Sequence, residues 1–252
     1  MAESTLTIDF AEMKARLGHW LGVGRSGTVF DSYEAQLGRL VNDGARRFYG
    51  EYDWSFLKPE RTLAIVADTT IYAAPDDLGG VEGPMTFTTT TARPCVVPQL
   101  QLQALRYEVQ RQPALTGPPR FFAIDQVELE AVTGQRYTFV IFPTPDQSYT
   151  LNYVLHVHPN AMSTATDKAY GGMQHSDTIM AAARLEAAHQ VAENMIGEAD
   201  KAYREALTRS VQYDSNKLRA ETFGVANDPA MSGFYFGHER LSPDIGLQYT
   251  PS

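Results

Sequence analysis

An alanine-rich stretch from Asp177 to about Lys217 constrains the fold most, because its small and apolar residues recur every three to five positions. That spacing marks one face of an α-helix. A single helix of this length would extend over about 60 Å. Gly197 lies near its middle, and glycine costs about 1 kcal/mol relative to alanine inside a helix. Two helices, over 177–195 and 198–217, are therefore an equally good prediction, with Asp177 as the N-cap in either case.

The apolar face of this stretch is built from side chains small enough to let another helix approach closely. We expect helix-to-helix packing through Ala183, Ala187, Val191, Met195, Ala199, Ala202 and Ala206, a pattern that Met180 and Val211 extend at its two ends. The opposite face carries Glu186, Glu193, Asp200, Arg204 and Arg209. We expect that face to meet solvent or a polar contact with another subunit.

Composition excludes several classes of protein. The 252 residues are 43% hydrophobic, which is enough for a substantial core. A single cysteine, Cys95, excludes an internal disulfide framework and a multi-cysteine metal site, and it fits assembly in a reducing cytoplasm. The formal charge of −9 argues against a surface built to grip nucleic acid, since phosphate binding needs clustered Lys and Arg.

Neither a membrane span nor an export signal is visible. No apolar run reaches the roughly 18 residues that a spanning helix needs. The first ten residues contain Glu3 and Asp9 where a signal peptide has a basic start. We therefore expect a folded, soluble protein with no membrane partner.

The N-terminal region predicts two amphipathic helices. Asp9 and Glu12 have the spacing of a capping box and open the first helix. Asp31 and Glu34 repeat the pattern and predict a second helix over 32–49. Its apolar face consists of Tyr33, Leu37, Leu40, Val41, Gly44, Ala45 and Phe48.

After Pro59 the sequence changes to β-branched and aromatic residues punctuated by Gly and Pro, which predicts strands. The strands are expected near 61–67, 70–74, 84–91, 120–130, 136–142 and 148–157. The polar end of the third suits an edge strand or a solvent-facing hairpin. One short helix, from Gln99 to Gln110, is expected between the strands, and Arg120 is expected to lead into a second sheet.

These elements predict an α+β fold in which the early and late helices form a bundle and an antiparallel β module projects from it. An extended C-terminal arm follows. The predicted boundaries are 1–58 and 162–218 for the helices of the bundle, 59–161 for the β module and 219–252 for the arm.

The predicted arm is rich in Pro and Gly, which excludes a long helix, yet it is also rich in aromatic residues. Fully extended, it could reach up to roughly 110 Å. An aromatic content this high is atypical of a purely solvated tail. We predict that it docks on a neighbouring molecule through Phe223, Phe234, Tyr235, Phe236 and Tyr249.

Two patterns resemble ligand sites. The segment Gly22-Val-Gly-Arg-Ser-Gly-Thr-Val29 matches the glycine-rich loop of protein kinases, but it separates two predicted helices and is best interpreted as a connecting loop. His156 and His158 share one face of a strand, a spacing that can hold a metal ion. A third ligand is needed, and the sequence does not place the candidates His175, His189 and His238. A polar strand face is the favoured interpretation.

No catalytic arrangement stands out. The segment Leu185-Glu-Ala-Ala-His189 lacks the first histidine of a zincin helix. The alternating carboxylates Asp125, Glu128 and Glu130, and the turn Asp76-Asp77, are more simply solvated than catalytic. Three serines could act as nucleophiles only with a nearby base, and none has one at a recognisable spacing: Ser26, Ser210 and Ser232. We predict no catalytic residue, no cofactor and no metal.

Several segments, in order, resemble the head-to-tail connector (adaptor, or neck) proteins of tailed bacteriophages. The first is Leu37-Gly-Arg-Leu-Val-Asn-Asp-Gly-Ala-Arg-Arg-Phe-Tyr-Gly-Glu-Tyr-Asp-Trp-Ser-Phe-Leu. Ile71-Tyr-Ala-Ala-Pro-Asp-Asp-Leu, Gly117-Pro-Pro-Arg-Phe-Phe-Ala-Ile and Phe142-Pro-Thr-Pro-Asp-Gln-Ser-Tyr-Thr-Leu follow. The alanine-rich helix completes the resemblance, which covers about residues 8–218. The segment Gly79-Gly-Val-Glu-Gly resembles an insertion relative to that family.

The resemblance implies a virion protein without chemistry of its own, located in the neck and assembled in the cytoplasm of the host bacterium. Family members form rings, usually of twelve copies, in which late helices pack subunit to subunit. The arm is then expected to contact the portal protein and the β module a tail or nozzle protein. Double-stranded DNA would pass through the channel without specific binding. Alternatives are a tail-completion or tail-tube protein and, less favoured, a virion-associated hydrolase.

Overall fold

The structure is a computed structural model that describes residues 4–88, 96–130 and 134–218, with only the backbone described at 128–130 and 217–218. The chain divides into two units, Met1–Asp214 and Ser215–Ser252. Of the second unit, only residues 215–218 are described, and they are the end of a helix. The contacts reported below lie within the first unit.

Five α-helices are present in the described part of the chain. They are α1 (Phe10–Trp20), α2 (Thr28–Glu51), α3 (Leu102–Arg111), α4 (Met173–Gln190) and α5 (Ile196–Leu218). Short 3-10 turns lie at Ser55–Leu57 and Glu193–Met195.

The predicted N-terminal helices are present, and the cap of the first is confirmed. The Asp9 carboxylate accepts a hydrogen bond from the backbone N–H of Glu12 at 2.8 Å. The cap predicted at Asp31 is wrong, because α2 begins one turn earlier, after Gly27. Gly27 has a φ of 99°, which favours glycine and lets the chain turn into the helix.

The long alanine-rich stretch is two helices, as one of the two alternatives predicted, but the break lies elsewhere. The chain leaves helical geometry at Val191 and Ala192, not at Gly197, which lies exposed in the first turn of α5. The predicted cap at Asp177 is also wrong, since α4 begins at Met173. The break occurs where the helix residues cease to be buried. Ala187 and Ala188 are buried, whereas the next three residues are exposed.

The β module consists of two antiparallel sheets. The first has the strand order β1-β7-β3-β4 and the second has the order β2-β6-β5. The strand bounds are β1 Glu60–Ile65, β2 Ile71–Ala73, β3 Leu78–Phe87, β4 Val96–Val97, β5 Phe121–Glu130, β6 Gly134–Phe142 and β7 Tyr149–Val157.

The predicted strands are therefore found, with two differences. Strand β3 begins at Leu78, so the Gly79 to Gly83 segment is part of a strand that pairs with β7. Further along β3, Met85 and Thr86 pair with β4 on the other side, so that part of the strand is not at an edge. The two-residue strand β4 was not predicted, because two residues give no detectable alternation. Residues 89–91 of the predicted edge strand lie outside the described residues.

The molecule has separate cores for its helices and its sheets. Buried residues of α1, α2, α4 and α5 surround Phe48 and Trp54, and both of these side chains are fully buried. A second cluster fills the space between the sheets, where the rings of Phe139 (β6) and Tyr153 (β7) meet edge to face at 5.4 Å. A helical bundle with an inserted β sandwich is the α+β arrangement predicted from the sequence.

Candidate interaction surfaces

The closest packing in the bundle joins α2 to α4. A Cβ atom added to Gly44 would lie 2.4 Å from the backbone N and Cα of Ala183, which is far inside van der Waals contact. Ala183 and Ala187 are fully buried. The small-residue face of α4 is thus covered by α2 of the same chain. Ala183 and Ala187 are therefore buried within this chain and cannot also pack against another subunit.

The predicted packing residues from Val191 onward are not all buried, unlike those of α4. Ala199 and Ala206 are buried, and Met195 is half-buried. Val191 is 55% exposed in the turn, and Ala202 is exposed but lines a small cavity with Trp20, Ala181 and Arg184. The predicted single stripe is thus divided at 191–192, and part of it is left exposed.

A charged group links three helices of the bundle. The Arg47 guanidinium (α2) donates to the Glu186 carboxylate (α4) at 2.7 Å and lies 5.8 Å from the centroid of the Tyr203 ring (α5). The hydrogen bond to Glu186 raises the pKa of Arg47, and burial raises the pKa of Tyr203. Glu186 therefore makes a contact within this chain, whereas the sequence predicted that its face meets solvent or a polar contact with another subunit.

The distal half of α5 is held by polar contacts that the sequence did not reveal. Both oxygens of the buried Asp214 carboxylate accept hydrogen bonds from Ser55, one from its backbone N–H at 2.9 Å and one from its hydroxyl at 2.5 Å. The hydroxyls of Thr178 and Ser210 lie 2.7 Å apart. One signal was available, because Asp214 follows Ser210 at helical spacing on the buried face.

His156 and His158, whose spacing could hold a metal ion but for which a polar strand face was favoured, lie at the end of β7, in a cleft of about 830 Å³ beside the C-terminal end of α2. The Nε2 atom of His156 is 3.7 Å from a carboxylate oxygen of Asp53. Within 4–88, 96–130 and 134–218, no group of three or more His, Cys, Asp or Glu side chains is arranged to hold a metal ion. His175 lies among aromatic rings in the bundle core, and His189 is exposed in the last turn of α4.

The other residues that the sequence suggested as possible site residues have structural roles where they are described. The glycine-rich segment 22–29 joins α1 to α2 and enters α2, as predicted for a connecting loop. Asp125 is paired with Arg106 at 3.1 Å. The side chains of Glu128 and Glu130 are not described. His238, Ser232 and the arm aromatics Phe223, Phe234, Tyr235, Phe236 and Tyr249 lie outside the described residues.

None of the described helices is both long and apolar enough to cross a membrane. The features that stand out are helix-to-helix contacts, polar contacts along α5 and exposed helix and sheet edges. Exposed helix surfaces and open sheet edges are places where a protein can contact other chains, as a structural assembly protein must.

Comparison with known protein families supports this class. Residues 8–227 match the family described as SU10 adaptor protein. The chain belongs to this family of phage head-tail adaptors and is a phage structural adaptor protein. No curated protein matches the chain significantly.

Proposed function

We propose that this adaptor assembles into a ring, with twelve copies as the expected number, which joins the portal vertex of the capsid to the tail. The family match over residues 8–227 is the observation that carries the proposal. The ring would lie in the neck of the virion, after assembly in the cytoplasm of the host bacterium. It would act by contact alone, with no catalytic residue, cofactor or metal.

In this proposal the exposed surface of α5 and the turn before it meet the next subunit. Val191 and Ala202, which are exposed within this chain, would be covered in the ring together with the half-buried Met195. The face of α4 that includes Ala183 and Ala187 has no such role, because α2 already covers it.

The proposed contact with the portal protein is made by the arm, residues 219–252, through its five aromatic side chains. Aromatic residues are well suited to such a contact because they bury a large area with few rotatable bonds. A tail or nozzle protein would occupy the opposite side of the ring.

Double-stranded DNA would pass through the channel without specific binding. Twelve copies, each with a formal charge of −9, would carry −108 in total. A predominantly acidic wall repels phosphates and gives them no site at which to bind.

Deletion of residues 219–252 tests the arm. We expect the truncated protein to lose most of its affinity for purified portal rings in a sedimentation or surface-binding assay, while its circular dichroism spectrum stays that of a folded α+β protein. A matched control replaces the five arm aromatics with Ala in the full chain, and the same loss is expected. Unchanged affinity in both proteins would refute the arm contact.

The same assay separates the alternatives. A tail-completion or tail-tube protein would sediment with purified tails and ignore the portal. A virion-associated hydrolase would show turnover that depends on His156 or on the carboxylates of β5.

A further inference from the structure

Two opposite sides of the β sandwich have open strand edges. On one side lie β1 and β2, the outer strands of the two sheets, joined by the short link 66–70. On the other side lie β4 and β5, where β4 runs through Pro98 to the edge of β5. A sandwich with two such sides can join its neighbours edge to edge.

The hydrogen-bond pattern shows which backbone groups of β1 point away from the sheet. The N–H of Leu155 donates to the carbonyl of Pro59 at 3.0 Å, so odd-numbered residues of β1 bond to β7. Glu60, Thr62 and Ala64 therefore turn their N–H and C=O groups outward, and all three residues are exposed. No hydrogen bond within 4–88, 96–130 and 134–218 reaches these outward groups.

Strand β5 has the same alternation. The N–H of Ile141 donates to the carbonyl of Thr70, so from Phe121 to Gln126 the odd-numbered residues of β5 bond to β6 and the even-numbered residues face outward. A β-bulge between Gln126 and Glu128 ends this alternation. At Phe122 the outward groups are bonded to Pro98 and Leu100. Beyond that point the outward groups of Ile124 and Gln126 have no partner among the described residues.

Exposed apolar side chains flank both edges. Val66 and Ile71 are 55% and 60% exposed beside β1 and β2. Val127 of β5 is 55% exposed, and Tyr107 of α3, the helix that packs on β5, is 64% exposed. The β1 segment from Thr62 to Val66 contains no charge and no proline. Charge and proline, two of the usual devices against edge-to-edge pairing, are therefore absent from it, whereas the backbone groups of Val66 at its end are bonded to the Tyr72 hydroxyl.

We propose that the β1 edge of one copy pairs with the β5 edge of the next copy, so that the sheets of neighbouring subunits become continuous. This inference rests on the proposed ring, because a head-to-tail contact between two different edges is the kind of contact that closes into a ring. The second copy is the occupant that fits, since it supplies an edge with matching free backbone groups and its own exposed apolar flank.

Cross-linking tests the pairing in the full chain. In a background with Cys95→Ser, Thr62→Cys and Gln126→Cys are introduced together, and the assembled protein, with and without portal, is treated with an oxidant or a short bismaleimide. Cysteines directly opposite each other on adjacent strands are within disulfide reach, and the bismaleimide also joins pairs that are offset by a residue or two. We expect a ladder of covalent oligomers up to the ring size, and neither single-cysteine variant should produce it.

Each other outcome overturns the pairing. Dimers from Thr62→Cys alone would mean that β1 pairs with β1 of a second copy. Rings seen by native mass spectrometry without any ladder would leave the ring intact and reject the edge contact. A protein that stays monomeric even with portal would reject the ring and the edge contact together.

Proline at the edge gives an independent readout. Ala64→Pro removes an outward N–H without removing a hydrogen bond to β7, whereas Leu63→Pro removes one that faces β7. We expect Ala64→Pro to keep the fold and to need at least a tenfold higher protein concentration to form rings. Ring formation by Ala64→Pro at the wild-type concentration would contradict the proposal.

Discussion

At the residue scale, the buried carboxylate of Asp214 fixes α5 to the 3-10 turn at Ser55–Leu57. Because its two oxygens accept from the backbone and side chain of Ser55, removal of the carboxylate leaves two partly buried donors without this acceptor. Sequence periodicity places Asp214 on the buried face of the helix, but it does not reveal the partner.

Asp214→Ala should lower the free energy of unfolding by about 2 kcal/mol, the usual contribution of hydrogen bonds to a charged acceptor. Chemical denaturation provides the measurement. The matched control is Asp200→Ala in the same helix, whose ion pair with Arg204 lies at the surface and should contribute less than about 0.5 kcal/mol. Equal effects of the two substitutions would show that Asp214 has no special role.

The contribution of Asp167 to the stability of the fold is predicted to depend on pH. Hydrogen bonds from the Thr164 hydroxyl and from the backbone N–H groups of Thr164 and Ser163 lower the pKa of Asp167 to about 2. An unfolded aspartate has a pKa of about 3.9. The folded pKa is the lower one, so the contribution to stability is present above pH 4 and is lost as the pH falls from about 4 to about 2.

A carboxyl titration by NMR should therefore give Asp167 a midpoint near pH 2. Asp167→Asn should make the unfolding free energy less dependent on pH between about 4 and 2. An Asp167 midpoint near 4 would show that these hydrogen bonds do not persist in solution.

At the element scale, the packing of α2 on α4 depends on one glycine. Gly44→Ala would place a methyl group 2.4 Å from backbone atoms of Ala183, which cannot move aside as a flexible side chain does. We expect a loss of about 2–3 kcal/mol in the free energy of unfolding.

The same helix offers a matched control. Nothing lies within 4 Å of a Cβ added to Gly50, so Gly50→Ala should be neutral or stabilise by up to about 1 kcal/mol. Thermal and denaturant unfolding of both variants provide the comparison. If Gly44→Ala proved as stable as Gly50→Ala, the close approach of the two helices would be disproved.

The sequence predicts whether a segment is a helix or a strand better than it predicts where that helix or strand begins and ends. The Asp9 cap, the apolar face of α2 and most strands are visible locally. The start of α2 was misplaced because Gly27 replaced the expected acidic cap, and the break before α5 was misplaced because local propensity favours Gly197. Loss of burial at Val191 had the larger effect, and burial is a property of the tertiary structure.

At the scale of the whole molecule, the acidic charge has a measurable consequence for the proposed ring. Assembled rings should not retain double-stranded DNA on a filter or gel even at low ionic strength, where screening is weakest. A control protein of opposite net charge should retain it under the same conditions. Tight retention by the rings would contradict the proposed non-adhesive channel.

The sequence by itself determined the α+β class, most of the helices and strands, and the resemblance to phage connector proteins. These depend on local spacing, capping residues and β-branched composition, all of which act between near neighbours along the chain.

Only the tertiary structure decided which surfaces are buried inside the subunit. Arg47 and Glu186 are 139 positions apart, and the contacts of Gly44 with Ala183 and of Ser55 with Asp214 are similarly distant. Periodicity shows that a face must be buried, but it does not show what buries it. The order of the strands, and hence the open edges of β1 and β5, likewise depends on pairing between distant segments.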